Sequence, residues 1–282
     1  MLIWMGSSVA IALRSAFYGL TFYGLAVLVI DTIHLYRNGS FTDASTRGSA
    51  WENPNWKVLM VLLGVWVFWG LWIIDSLQRR GSMPGGPILG LLPGWAGLQT
   101  TFHSLSQALS DLLPLWPAAA FYNVISNLLF IVLLPLAVLT LFGFRPKHFS
   151  LSFRNWAVAA PFLLLLTLAF IFSQPNLGRV AFLAYAFIYP GITEELFYRG
   201  LFQRSLRGWF KPLNAILISS FIFAALHFPS YYYEVYGANL GLTLLNIGDA
   251  CLFGIFMGYG FMRSGGVLPW AAVHALNDIV VG

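Results

Sequence analysis

Charged side chains are scarce in this sequence: 9% of its residues are Asp, Glu, Lys or Arg, while 59% are hydrophobic. A soluble domain carries about 25% charged residues. A chain of 282 residues this poor in charge cannot cover a water-facing surface with solvated groups. Lipid is its expected solvent, so length does not set a count of soluble domains. The charge that is present is biased, with 15 Lys and Arg against 10 Asp and Glu. The bias does not point to nucleic acid. The basic residues stand in short clusters between apolar runs, as membrane-flanking charges do, and no basic stripe with interleaved aromatics occurs in a polar setting. Cysteine is nearly absent. Cys251 stands alone, which excludes an internal disulfide and a multi-cysteine metal site; within an apolar run it reads as a small buried residue. The last residues, Ile279-Val280-Val281-Gly282, carry no prenylation box. Residues 1–30 show no short apolar core followed by a small-residue cleavage site. Arg14 instead precedes a long apolar run, the expected form of an uncleaved first helix.

What the chain has in abundance is long apolar runs. A spanning helix needs about 20 mostly apolar residues. Eight segments qualify: 15–35, 58–77, 118–143, 155–173, 180–199, 213–229, 240–262 and 267–281. Segment 85–102 is apolar but rich in Gly and Pro, and reads as a short span or a re-entrant piece. The expected fold is therefore all-α, a polytopic transmembrane bundle of about eight spans. It divides into N-terminal transmembrane helices, 1–150, of unassigned role and a core, 151–282, that holds the residues discussed below. Orientation follows from the loops. Arg145, Lys147 and Arg154 form one basic cluster, Arg204, Arg207 and Lys211 another, and Arg263 lies in a third loop. Counting spans puts all three on one side, the expected cytoplasmic side. Arg79-Arg80 would join them if 85–102 crosses the membrane. The polar loop 36–57 reads as a solvated connection, and Tyr231-Tyr232-Tyr233, just outside a span, as part of an interfacial aromatic belt.

A few charges fall inside apolar runs, and these carry the functional argument. Such a group costs at least ~2.5–3.5 kcal/mol on insertion scales, so it usually faces the bundle interior and serves a function. The first set lies in Gly191-Ile192-Thr193-Glu194-Glu195-Leu196-Phe197-Tyr198-Arg199-Gly200. Glu195 and Arg199 are four apart and share a helical face, so they can pair. Glu194 points about 100° away and is free to meet a group on another helix. The second set is Phe223 and His227, near the end of an apolar helix. The third is His274, Asn277 and Asp278 in the last apolar segment. His274 shares a face with both Asn277 and Asp278, and a carboxylate beside a histidine can fix its tautomer. Each set alone has a structural explanation: a satisfied core histidine, an ion pair joining helices, a cap. Together they place two carboxylates, a guanidinium, two imidazoles and an Asn-Asp pair on three separate segments that meet only inside a bundle. Hydrolysis uses such a set: a base for water, imidazoles for protons and donors for an oxyanion.

These residues resemble the CPBP family, the CaaX protease and bacteriocin-processing proteins also called Abi. Its motifs are EExxxR, FxxxH and HxxxN or HxxxD, each on its own transmembrane helix. Here they read Glu194, Glu195 and Arg199; Phe223 and His227; His274 and Asp278. Each motif alone is unspecific, and their order and spacing in a polytopic chain carry the resemblance, which covers roughly residues 180–282. The resemblance implies a glutamate-dependent intramembrane endopeptidase, with no required metal or other cofactor; a plain polytopic chain without a transit signal is expected in a cell membrane. Its substrate would be a membrane-anchored or membrane-inserted protein or peptide, met within or beside the lipid bilayer. In that picture Glu194 is the general base on a water polarised with help from His227. His274 and residue 278 stabilise the oxyanion, and Glu195 and Arg199 support the site. Many members have Asn where this chain has Asp278. An ionised Asp cannot donate to an oxyanion, so Asp278 is either protonated or orients His274, and Asn277 is the alternative donor.

Other classes remain open at this level. Glu194, His227 and His274 would also furnish a catalytic zinc set, although no H-E-x-x-H motif occurs. A scaffold or immunity factor with a degenerate site would carry the same residues without using them. A proton-coupled transporter also uses intramembrane carboxylates and histidines, but it does not account for the ordered trio.

Overall fold

The computed structural model describes residues 54–280 and, ahead of them, residues 16, 18, 19, 21, 24, 25, 27 and 31. Most of the expected span 15–35 and of the polar loop 36–57 lies outside the described residues, as do 281 and 282. Eight helices make up the described chain: α1 (Trp56–Arg79), α2 (Trp95–Leu112), α3 (Ala118–Leu141), α4 (Ala160–Phe172), α5 (Leu177–Arg207), α6 (Pro212–Val235), α7 (Leu240–Ser264) and α8 (Leu268–Val280). No strand occurs among the described residues. Five of the helices, α1, α3, α5, α6 and α7, are long and apolar enough to cross a membrane. Helices are the expected solution, because lipid offers no partner for a free backbone N–H. Their starts are set by local chemistry. The Asn55 side chain accepts from the backbone N–H of Lys57 and Val58, Asn176 does so from Arg179, and Asn239 from Leu242; each satisfies donors left bare at a helix start. α6 opens on Pro212, where a missing N–H costs nothing.

The interior is built around α5. From Thr193 to Leu206 every residue of this helix is buried. Trp69 of α1 packs edge-on to Phe197 and stacks on Tyr198. Phe256 of α7 meets Trp270 of α8 edge to face at 5.6 Å. Leu164, Phe221 and Leu245, by contrast, are about two-thirds exposed. In water such faces would be a liability; facing lipid they are ordinary.

The loops sort to two ends. At one, Val267 N–H donates to the Ser150 carbonyl, Arg204 donates to that of His148, and Arg263 pairs with Asp31 at 2.9 Å. The three basic clusters therefore share an end, as the spacing of spans anticipates. At the other end Arg179 donates to the Ile279 carbonyl, Trp116 to that of Ala181, and Arg80 pairs with Glu234 at 2.8 Å. Arg80 thus lies away from the basic clusters. The chain leaves this end after Arg80 and returns to it at Trp116, so segment 85–102 dips into the bundle and is re-entrant. A buried carboxylate fastens the dip. Asp75 pairs with Arg79 at 2.8 Å and accepts from Leu89 N–H at 2.9 Å. Trp95 and Phe102 of α2 then pack against Trp72 and Phe130.

Candidate active site

The site begins at a break in α5. At Tyr189 the backbone is extended (φ −136, ψ 119), and Pro190, which follows through a cis peptide, has no N–H to give the helix ladder. The helix resumes through wide π-type turns, so Thr193–Glu195 sits in a segment flanked by irregular backbone on both sides. Close approach to α8 needs a glycine. A Cβ on Gly191 would stand 2.8 Å from the Ala271 carbonyl oxygen and 2.9 Å from that of Ala186. Both atoms are backbone and cannot swing away. Gly191→Ala is therefore expected to push α5 from α8, costing about 1–3 kcal/mol by overpacking. Displacing the neighbouring carboxylates by about 1 Å is expected to lower turnover about 100-fold. Paired thermal unfolding and activity assays on the purified chain check both effects.

Three helices deliver the polar groups. Glu195, fully buried, accepts from Arg199 at 3.1 Å and from His274 Nδ1 at 2.7 Å. The Arg199 guanidinium also donates to the Gly254 carbonyl at 3.3 Å and lies over the Phe223 ring at 4.7 Å from its centroid. Held by Glu195 within α5, it ties that helix to α7 through a carbonyl and to α6 through an aromatic face. With Nδ1 bonded to Glu195, His274 turns Nε2 toward the other carboxylates. Glu194 Oε2 stands 3.9 Å from that nitrogen and Asp278 Oδ2 stands 3.7 Å from it. Both distances exceed a direct hydrogen bond, which runs to about 3.2 Å. Glu194 is 7% exposed, and its Oε2 accepts no hydrogen bond from the protein. His227 donates from Nδ1 to the Phe223 carbonyl at 3.0 Å, because a carbonyl only accepts; in the neutral imidazole Nε2 then keeps a lone pair. Phe223 is the common neighbour, with ring centroids 4.8 Å from His227 and 6.3 Å from His274.

A cavity of about 520 Å³ opens onto these groups. His227, His274, Asn277 and Asp278 line it, together with Phe223 and Tyr231. All the site residues expected from the sequence therefore gather in one region: Glu194 and Glu195 against His274, Arg199 behind Glu195, and the rest on the cavity wall. Sequence reasoning places the orienting carboxylate of His274 at Asp278. In the structure the carboxylate bonded to its Nδ1 comes from Glu195, on another helix. Tyr231 departs from the expected aromatic belt. Because α6 runs on to Val235, its ring stands 5.6 Å from His227 and lines the cavity. Two wall residues, Asn246 and Asp249 of α7, lie outside the three motifs. Asp249 carries the same signal as Glu194, a carboxylate inside a predicted span, but belongs to no motif. Among the described residues, no three His, Cys, Asp or Glu side chains are placed to hold a metal together.

Comparison with known proteins gives a family match. Residues 175–280 match the family model described as type II CAAX prenyl endopeptidase, Rce1-like. The match falls on α5 to α8 and agrees with the CPBP resemblance read from the three motifs. No curated protein and no solved structure matches the chain.

Proposed function

We propose that this membrane protein is an intramembrane endopeptidase that hydrolyses a peptide bond in a membrane-anchored or membrane-inserted protein or peptide, with Glu194 as the base. The family match over residues 175–280 supports a membrane endopeptidase in general. The observation that carries the finer reading is the convergence at His274, beside the cavity: Nδ1 held by Glu195 at 2.7 Å, and Nε2 facing Glu194 and Asp278 at 3.9 and 3.7 Å.

In this reading a water joins the Glu194 carboxylate to the histidine edge. Glu194 takes one water proton as the water oxygen forms its bond to the scissile carbonyl carbon. The oxyanion that results is stabilised by N–H donors and imidazole edges at the cavity wall, with His274 kept in place by Glu195. The intermediate collapses, the C–N bond breaks, and the proton held by Glu194 passes to the leaving amine. His227 Nε2 assists by accepting from the attacking water. Phe223 holds both imidazoles and the Arg199 plane in register. The core 151–282 holds the chemistry, and the helices before it brace α5 through Trp69. By the positive-inside rule the end with the three basic clusters faces the cytoplasm of a cell membrane.

The test is direct. The purified chain is incubated in detergent with a panel of membrane-anchored peptides, with and without a chelator, and products are read by mass. Cleavage that survives the chelator is expected. Cleavage stopped by the chelator and restored by zinc would replace the glutamate mechanism with a metal one. No cleavage of any peptide would favour a non-enzymatic binding role.

A further inference from the structure

The cavity that reaches His227 and His274 carries a carboxylate with no part in the scheme above. Asp249 sits nine residues into α7, about 13 Å along its axis. Asn246, Asp249, Ala250 and Phe253 recur at helical steps of three and four, so they form one stripe, and all four line the cavity. The stripe ends at Phe253, whose ring meets His274 edge to face at 5.3 Å. Asp249 stands about one turn further out, roughly 10 Å from His274.

Apart from the imidazoles of His227 and His274, the ionisable groups that line this passage are carboxylates and the Tyr18 and Tyr231 phenols. The Asp249 carboxylate forms no hydrogen bond or ion pair with any described residue. Asp278 lines the same cavity, and behind the lining the buried Glu194 Oε2, which accepts no hydrogen bond, stands 3.9 Å from His274 Nε2. Among the described residues no Lys or Arg lines the cavity. Arg199, behind Phe223, is committed to Glu195 and to the Gly254 carbonyl. A carboxylate-lined passage with low-dielectric walls draws in a cation and repels an anion. A carboxylate kept inside an apolar span also implies a function for its charge.

We infer that Asp249, with Asn246 beside it, binds a lysine or arginine side chain of the substrate. Extended peptide advances about 3.3–3.6 Å per residue, so the cation lies about three residues from the bond that is cut. The inference rests on the endopeptidase reading and names the substrate class for it: a membrane-anchored segment with a basic residue near the scissile bond.

The test uses anchored peptides that differ at one position about three residues from the cleaved bond, carrying Lys, norleucine or Glu. All are acetylated at the amino terminus, so that the varied side chain is their only cation. The unsubstituted chain is expected to favour Lys over norleucine about tenfold in kcat/KM, the scale of a partly desolvated charge pair. Asp249→Asn is expected to bring that ratio close to one, and Asp249→Lys to turn the preference toward Glu. A Lys preference that survives Asp249→Asn overturns the inference. Binding is measured in parallel by fluorescence anisotropy in the Glu194→Gln background, where no cleavage is expected. Lys-selective, Asp249-dependent binding without cleavage by the unsubstituted chain overturns the endopeptidase reading and leaves this inference standing. Binding indifferent to Lys, or no binding at all, overturns the inference whatever is cleaved.

Discussion

Glu194→Gln is expected to lower peptide-bond cleavage by about 10²–10⁴-fold, the contribution of a positioned general base. The substitution keeps the shape of the side chain and removes its basicity. Glu194 Oε2 accepts no hydrogen bond from the protein, and Arg199 pairs with Glu195 instead. An amide at position 194 therefore strands no buried cation, and the variant is expected to purify and unfold like the parent. The pairing of near-parental stability with lost turnover is the informative result. Rates measured on one anchored peptide, beside thermal unfolding of both chains, supply it. Retained cleavage would remove Glu194 from the mechanism. Glu195→Gln is expected to behave differently, because Arg199 then loses its buried counter-charge.

Breaking that buried pair should have the largest effect on stability. Arg199 and Glu195 side chains are 2% and 0% exposed and 3.1 Å apart. Arg199→Met leaves the Glu195 charge without its guanidinium in the bundle interior, and removing one partner of a buried pair costs about 3–5 kcal/mol. The expected result is a large fall in the unfolding midpoint and poor recovery from the membrane. The double variant Glu195→Gln with Arg199→Met leaves no bare charge. It is expected to regain most of the lost stability, since apolar or neutral replacement of a whole buried pair is often close to neutral. Activity should not return with it. His274 Nδ1 would face an amide in place of a carboxylate, and losing an orienting carboxylate typically costs about 10–100-fold. Recovery of both stability and activity would reduce Glu195 to a structural partner of Arg199.

The fold class and the candidate site were legible in the sequence for the same reason. In an apolar chain, position along the sequence is nearly position along the membrane normal, and any charge away from a loop stands out. Gly191 through Gly200, Phe223 with His227, and His274 with Asp278 could be found that way because lipid penalises them unless they meet inside the bundle. The Glu195–Arg199 pair was legible too, since four residues on a helix fix which groups are neighbours. The extent of α6 was less so. Tyr231 sits where an interfacial aromatic is common, and only the continuation of the helix to Val235 turns its ring toward His227.

The sequence by itself determined an all-helical membrane chain, the helices that carry the candidate site and, through the spacing of three motifs, the family they resemble. Tertiary structure decided which groups touch. It gave His274 Nδ1 to Glu195 and not to Asp278, left Glu194 Oε2 without a hydrogen bond, folded segment 85–102 back to the end it came from, and set Asp249 on the cavity wall. The physical reason is that a helix fixes neighbours at three and four residues, whereas contacts between helices depend on rotation and approach. Here those are set by a break at Tyr189 and by the absence of a Cβ at Gly191, which brings α5 onto the α8 backbone.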